Sequence, residues 1–204
     1  MILIGQYDSP FVRRVGIALT LYDLPFRQEP WSVFADADKI RPLNPLTRVP
    51  VLVLDDGESL IDSHMILDYL DALMAPERRL FPQAEPARRR ALQRAALAAG
   101  IGDKAVSLFY EKRLHDQVSD VLVHRCARQI ADGWNTLEAD FSQSGLPENP
   151  GHDAIAVACI WRFVRESHPG LTDAARLPVL SRLSDRLEAT PAFRVVFQPF
   201  IAPA

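Results

Sequence analysis

Val49-Pro50-Val51-Leu52-Val53-Leu54-Asp55-Asp56-Gly57-Glu58-Ser59-Leu60-Ile61-Asp62-Ser63-His64 is the stretch of this 204-residue chain that says most about its fold. Two short apolar runs, Val51 to Leu54 and Glu58 to Ile61, flank Asp55-Asp56-Gly57, and an Asp-Gly turn between such runs signals a β-hairpin. Pro50 has no N–H to donate, so it stands at the start or edge of a strand. Behind Asp62, residues Ile66, Leu67, Tyr69, Leu70 and Leu73 fall at helical spacing, so a helix begins where the hairpin ends.

Toward the N-terminus the alternation continues. Met1 to Gln6 reads as a strand closed by Tyr7-Asp8-Ser9-Pro10, and Phe11 to Tyr22 as a helix. The buried face of that helix is expected at Phe11, Val15, Ala18, Leu19 and Tyr22, with Arg13 and Arg14 largely off it. Phe26 to Trp31 suits a second strand, and Ala35 to Ile40 a short helix stopped by Pro42. The order is β-α-β-α-β-β-α. Toward the C-terminus, Pro76, Pro82 and Pro86 mark a linker, after which strand signals vanish. Long helices are expected over 87–115, 119–142, 153–167 and 178–189, the first loosened by Gly100 and Gly102. The plan is an α/β domain over 1–75, a linker over 76–86 and an all-α helical domain over 87–204.

Hydrophobic residues make up 48% of the chain, charged residues 24%, and the net charge is −3. That balance is ordinary for a globular protein and favours neither nucleic acid nor an anionic membrane as a partner. The 20 Arg against 3 Lys suggest compositional bias, so Arg88-Arg89-Arg90 reads as a solvated helix face. No apolar stretch approaches the ~20 residues of a membrane helix, and Met1-Ile2-Leu3-Ile4 lacks the flanks of a secretory leader. A cytoplasmic location is expected. Cys126 and Cys159 form no CxxC pair and the five His have no close ligand spacing, so buried thiols and no metal are expected.

Three stretches carry chemistry. Ser9 opens a helix, where unpaired N–H groups and the positive end of the dipole favour an anion; an ordinary N-cap with Pro10 at the first position is the plainer reading. In Asn44-Pro45-Leu46-Thr47-Arg48-Val49-Pro50, a cis Val49–Pro50 bond would turn the Val49 backbone outward to pair with an extended peptide; a trans bond opening an edge strand is the alternative. Ser63 at a helix start suits a carboxylate and Asp62 an ammonium group, unless Asp62 is simply the N-cap.

Taken together, the Ser-Pro-Phe turn, Asn-Pro then Val-Pro, the acidic-Ser pair and the helical second half resemble the glutathione S-transferase superfamily, most closely its bacterial serine- or cysteine-type members. The resemblance covers nearly the whole chain. It implies a thioredoxin-like first domain that binds glutathione as co-substrate. The Ser9 hydroxyl would stabilise the thiolate, Val49 with cis Pro50 would pair with the cysteinyl backbone, Asp62 and Ser63 would hold the γ-glutamyl end, and Arg48 would meet the glycyl carboxylate. Tyr7 is a rival for Ser9. Phe11, Phe34, Phe109 and Tyr110 would line a pocket for a small hydrophobic electrophile. A homodimer through the 60–73 and 87–115 helices and a detoxifying conjugation are implied. Peroxide reduction, dehalogenation, isomerisation and a non-catalytic binding or interaction role are alternatives, whereas thiol–disulfide exchange is disfavoured with Ser at position 9. Two departures stand out: Asp62 occupies a place where Glu or Gln is usual, and Gly151 with Ala154 replaces a Ser/Thr-x-x-Asp helix start, leaving Asp153 to serve that helix end.

Overall fold

The computed structural model describes residues 1–200. Strands β1 (Ile2–Ile4), β2 (Arg27–Glu29), β3 (Val51–Val53) and β4 (Ser59–Leu60) form one sheet in the order β2-β1-β3-β4. β1 runs parallel to β2 and antiparallel to β3, with Leu3 opposite Gln28 and Leu52; β4 is antiparallel to β3, with Leu60 opposite Leu52. Successive side chains alternate across the sheet. Leu3 and Leu52 join the core under α1 (Pro10–Leu21) and α3 (Ser63–Ala72), while Ile4 and Val51 meet Ile40 of α2 (Ala37–Ile40) on the other face. Both faces are covered, which is why β1 and β3 at the middle of the sheet are apolar throughout, whereas the edge strand β2 reads Arg27-Gln28-Glu29.

The strands are shorter than the apolar runs that announced them. Gly5 ends β1 at φ +125°, and a Cβ there would stand 2.5 Å from Val12 and 2.9 Å from Val49. Only a glycine lets the start of α1 and the loop before β3 close on the same point.

The second half is helical: α4 (Ala87–Leu114), α5 (Asp120–Ser144), α6 (His152–Ser167), α7 (Pro178–Glu188) and α8 (Pro191–Val195). The last of these, five residues long, has no counterpart in the sequence reading. α4 is one long helix, as expected, and runs unbroken past Gly100 and Gly102. A Cβ at Gly102 would lie 2.5 Å from Ile160 and 3.0 Å from Phe11, so close packing rather than a loosened helix accounts for that glycine. α6 is buried at every residue from His152 to Val164, as a helix surrounded on all sides must be. Trp161 meets Trp134 of α5 edge to face, and Cys126 and Cys159 are buried free thiols. None of the helices among the described residues is long and apolar enough to cross a membrane.

The expectation for Arg13 and Arg14 is overturned: they are 2% and 1% exposed. α1 is covered by the sheet and α3 on one side and by α6 and α8 on the other, so its polar face meets protein instead of water. The α6 start also differs. A Cβ at Gly151 would stand 2.7 Å from the Leu80 carbonyl oxygen, which leaves no room for a capping Ser or Thr. Asp153 makes no cap; it pairs with Arg94 at 3.4 Å.

One buried cluster ties the linker to both halves. Asp71 Oδ1 accepts bonds from the Tyr22 hydroxyl (2.6 Å), the Leu80 N–H (2.7 Å) and the Phe81 N–H (3.2 Å), and His152 Nε2 lies 3.4 Å away. Burial alone would raise the Asp71 carboxyl, but the donors from His152, Tyr22, Leu80 and Phe81 hold it at about 2. Burial pushes His152 down, so its imidazole is neutral.

Candidate functional site

Ser9 is the N-cap of α1, in extended conformation, and Pro10 follows at the first helical position. Its Oγ accepts the Val12 N–H at 3.5 Å, a long and therefore weak bond. A hydroxyl that accepts here keeps its own proton to donate. Tyr7, two residues earlier, is placed differently. Its ring packs on Gly16 of α1, where a Cβ would stand 2.8 Å from the ring, and burial raises the phenol to about 12.

The Val49–Pro50 bond is cis. Pro50 is buried and Val49 half-buried, and neither the N–H nor the C=O of Val49 has a hydrogen-bond partner among the described residues. The loop ahead of it is held by Asn44, 2% exposed. Asn44 Nδ2 donates to the Arg48 carbonyl at 2.8 Å, and its Oδ1 accepts the Leu46 N–H at 3.0 Å. Thr47 sits in the left-handed region at φ +51° inside that turn. Asn44 went unassigned in the sequence reading, although the Asn-Pro dipeptide is a turn signal. Arg48 reaches α4 and pairs with Asp103 at 3.0 Å, both side chains being well exposed.

Asp62 is the N-cap of α3, its Oδ1 taking the His64 N–H at 2.8 Å and the Met65 N–H at 3.4 Å. The Ile61–Asp62 peptide is also cis. Ser63 is buried at the first helical position, and neither its N–H nor its hydroxyl is bonded to another described residue. A free N–H and a free hydroxyl at a helix N-terminus match the needs of a carboxylate. Nearby, α1 contributes Arg14, whose Nε and Nη1 are buried without partners among the described residues. Burial lowers the Arg14 guanidinium to about 10, against the opposing charges of Asp62 and Asp103. Its own charge, after burial, helps to hold His64 below its usual value.

Three of the four expected pocket aromatics form one row. Phe34 meets Tyr110 edge to face at 5.5 Å, and Tyr110 lies 6.0 Å from Phe109. Phe200 then bridges Phe109 (5.3 Å) and Phe163 (5.5 Å). Burial raises the Tyr110 phenol, and the charges of Arg48 and Asp8 act on it, which puts the row beside the residues just described. Phe11 stands apart, against Gly102 of α4. Phe163 and Phe200 were missed; Phe163 lies in a helix buried on every side from His152 to Val164, so no face singles it out, and Phe200 lies in a tail with no periodicity to read. The same tail supplies Gln198, whose Oε1 accepts the Tyr7 N–H at 3.1 Å.

The arrangement thus offers a hydroxyl with a proton to give at one helix start, an unpaired peptide unit at Val49, an unpaired N–H and hydroxyl at a second helix start, and a row of aromatic rings that includes Tyr110. The family model for the glutathione S-transferase N-terminal domain matches residues 3–78. The GST-like protein YibF of Escherichia coli K12 is 32% identical over 162 residues, 78% of this chain and 79% of its own. A probable maleylacetoacetate isomerase 2 of Drosophila melanogaster is 27% identical over 95% of this chain and 86% of its own. Among solved structures, a glutathione S-transferase of Methylobacterium radiotolerans in complex with glutathione sulfonate superposes with a TM-score of 0.92 at 30% identity, covering 100% of this chain and 97% of that one. A Pseudomonas fluorescens Pf-5 family member with bound glutathione gives 0.87 at 29%, covering 98% and 99%. With relatives of this identity matched along most of their length, and a sheet, a cis-Pro loop and two helix starts in the order the motifs announced, the chain belongs to the glutathione S-transferase superfamily.

Proposed function

We propose that the chain binds glutathione, ionises its thiol at Ser9 and directs the thiolate at a small hydrophobic electrophile held by the row Phe34, Tyr110, Phe109 and Phe200. The observation that carries this reading is the Ser9 hydroxyl, weakly engaged as an acceptor and able to donate. A thiol with a pKa near ~8.5 needs about 2.7 kcal/mol of preferential thiolate stabilisation to fall by two units. One hydroxyl donated to a charged acceptor contributes roughly 1.5–3 kcal/mol, and the helix dipole adds to it. Ser9 and the N-terminus of α1 are therefore sufficient. Tyr7 is the weaker choice because its ring is taken up by Gly16.

In the same reading the Val49 peptide pairs with the cysteinyl backbone of glutathione. Ser63 takes the γ-glutamyl carboxylate and Asp62 faces the ammonium group with the oxygen not used in capping. Arg48, exposed and paired with Asp103, meets the glycyl carboxylate. A second reading, glutathione-dependent cis–trans isomerisation, draws on the Drosophila relative; it calls for a substrate with carboxylates, where the aromatic row favours an apolar one. The chain acts in the cytoplasm as a homodimer through α3 and α4. That proposal rests on exposed Met65 of α3, Leu73 at its C-cap and Leu92 of α4, two helices that Arg88 and Asp68 link at 3.8 Å; a monomer in sedimentation at micromolar concentration removes it.

Calorimetric titration with glutathione tests the main reading. Saturable binding is expected, weakened by Ser63→Ala, while Ser9→Ala raises the bound thiol pKa by about two units with a smaller change in affinity. No binding by the wild type at millimolar glutathione overturns it.

A further inference from the structure

The turn that carries Ser9 is held from outside its own half of the molecule. Within the turn the Ser9 N–H donates to the Gln6 carbonyl at 3.2 Å, the Val12 N–H to Ser9 Oγ at 3.5 Å and the Arg13 N–H to the Ser9 carbonyl at 2.9 Å. Further anchors stand on either side. At one end the Tyr7 N–H donates to Gln198 Oε1. At the other, Arg13 forms two bonds to Glu188 (2.5 and 2.7 Å) and donates to the Phe193 and Val196 carbonyls at 3.2 and 3.1 Å. The residues that receive these bonds all lie between 188 and 198.

That segment is fixed in turn by α6. Arg162 Nη2 donates to the Gln198 carbonyl at 3.0 Å, its Nε is bonded to Glu166 at 2.7 Å, and its guanidinium lies 4.1 Å from the centre of the Phe197 ring. Glu166 also accepts the Phe200 N–H at 2.9 Å. A continuous set of bonds therefore runs from α6 through the C-terminal tail to both shoulders of the Ser9 turn.

We infer that residues 193–200 brace the Ser9 turn and that Gln198 is a positioning residue for the thiolate site. The inference rests on the glutathione reading above. It follows from the steep dependence of such sites on placement, where a displacement of ~1 Å costs about 100-fold, and from the anchoring of Tyr7 and Arg13, on the two sides of the turn, to residues 188–198. Gln198 acts through Tyr7 and touches neither glutathione nor the electrophile. Because Tyr7 donates, the feature required at position 198 is an acceptor oxygen at glutamine length.

The test uses the full chain with Gln198→Leu, which removes the acceptor at nearly constant volume, Gln198→Glu, which keeps it, and Gln198→Asn, which withdraws it without adding apolar surface should the leucine variant fail to fold. Thiolate absorbance of bound glutathione against pH gives the thiol pKa, and amide hydrogen exchange is followed at Tyr7 to Val12. Gln198→Leu or Gln198→Asn is expected to raise the thiol pKa by about one unit, a tenfold loss of thiolate near neutrality, and to speed Tyr7 exchange about tenfold. Gln198→Glu restores both. Wild-type thiol pKa and wild-type exchange in the leucine and asparagine variants overturn the brace. If the wild type binds no glutathione, the functional reading fails and exchange alone decides: faster exchange in the turn supports the brace, and unchanged exchange overturns it.

Discussion

Two seams join the α/β half to the helical half, and they are built on opposite plans. In the first, Asp71 gathers Tyr22, Leu80, Phe81 and His152 around one buried oxygen, away from Ser9. In the second, Arg13 and Arg162 spread their donors over Glu188, Glu166 and several carbonyls beside Ser9. A single acceptor with many donors concentrates stability in one group that nothing can replace. A spread of arginine bonds distributes it and fixes the position of a turn.

The largest effect that would separate them comes from Asp71→Ala. Removing the acceptor leaves buried donors unpaired, and unfolding by denaturant should show a loss of about 3–5 kcal/mol. Glutathione affinity of the folded protein should stay as it was; a parallel loss of affinity would mean that the two seams are one unit. Acid should act on the same seam. His152 is held below its ordinary 6.5, so the unfolded chain binds the extra proton and stability declines as pH falls through that region. Asp71 lies at about 2 against an ordinary 3.8. Its contribution, about 2 kcal/mol, is complete above pH 3.8 and disappears as pH falls toward 2. Asp71→Asn should flatten the lower part of that profile; an unchanged acid limb would place its origin elsewhere.

Smaller effects sharpen the description of the second seam and its pocket. Phe200→Ala should change the ranking of apolar electrophiles by roughly tenfold through lost apolar contact, with little change in glutathione affinity; an unchanged ranking removes Phe200 from the pocket wall. Arg48→Ala should cost less than about 1 kcal/mol of stability, because its pair with Asp103 is exposed. A clear drop in glutathione affinity with that small cost would identify Arg48 as a ligand-binding group.

The parts legible in the sequence were those with local causes. The Asp-Gly hairpin, the alternating strand residues and the helix starts at Ser9 and Asp62 each follow from a few adjacent residues. The cis Val49–Pro50 peptide was expected from the resemblance and is present. What could not be read depends on residues brought together from far along the chain. Arg13 and Arg14 look like a wet helix face until α6 and α8 cover them. Gly102 and Gly151 look like weak points until Ile160, Phe11 and the Leu80 carbonyl are seen against them. Gln198 and Phe200 lie in a tail whose importance comes wholly from its partners, and Asn44 acts through a turn four residues long.

The burial of α6 from His152 to Val164 has a consequence for biosynthesis. A ribosome delivers residues 1–78 long before His152 emerges, so for that interval α1 has neither α6 nor α8 to lie against. Arg13 and Arg14 are then hydrated, Ile17 is uncovered, and the nascent first half has an open side. Its closing must await the last quarter of the chain. A protein truncated before α6 is accordingly a different object from the first half of this one: a sheet with a sticky flank that invites chaperones or its own kind.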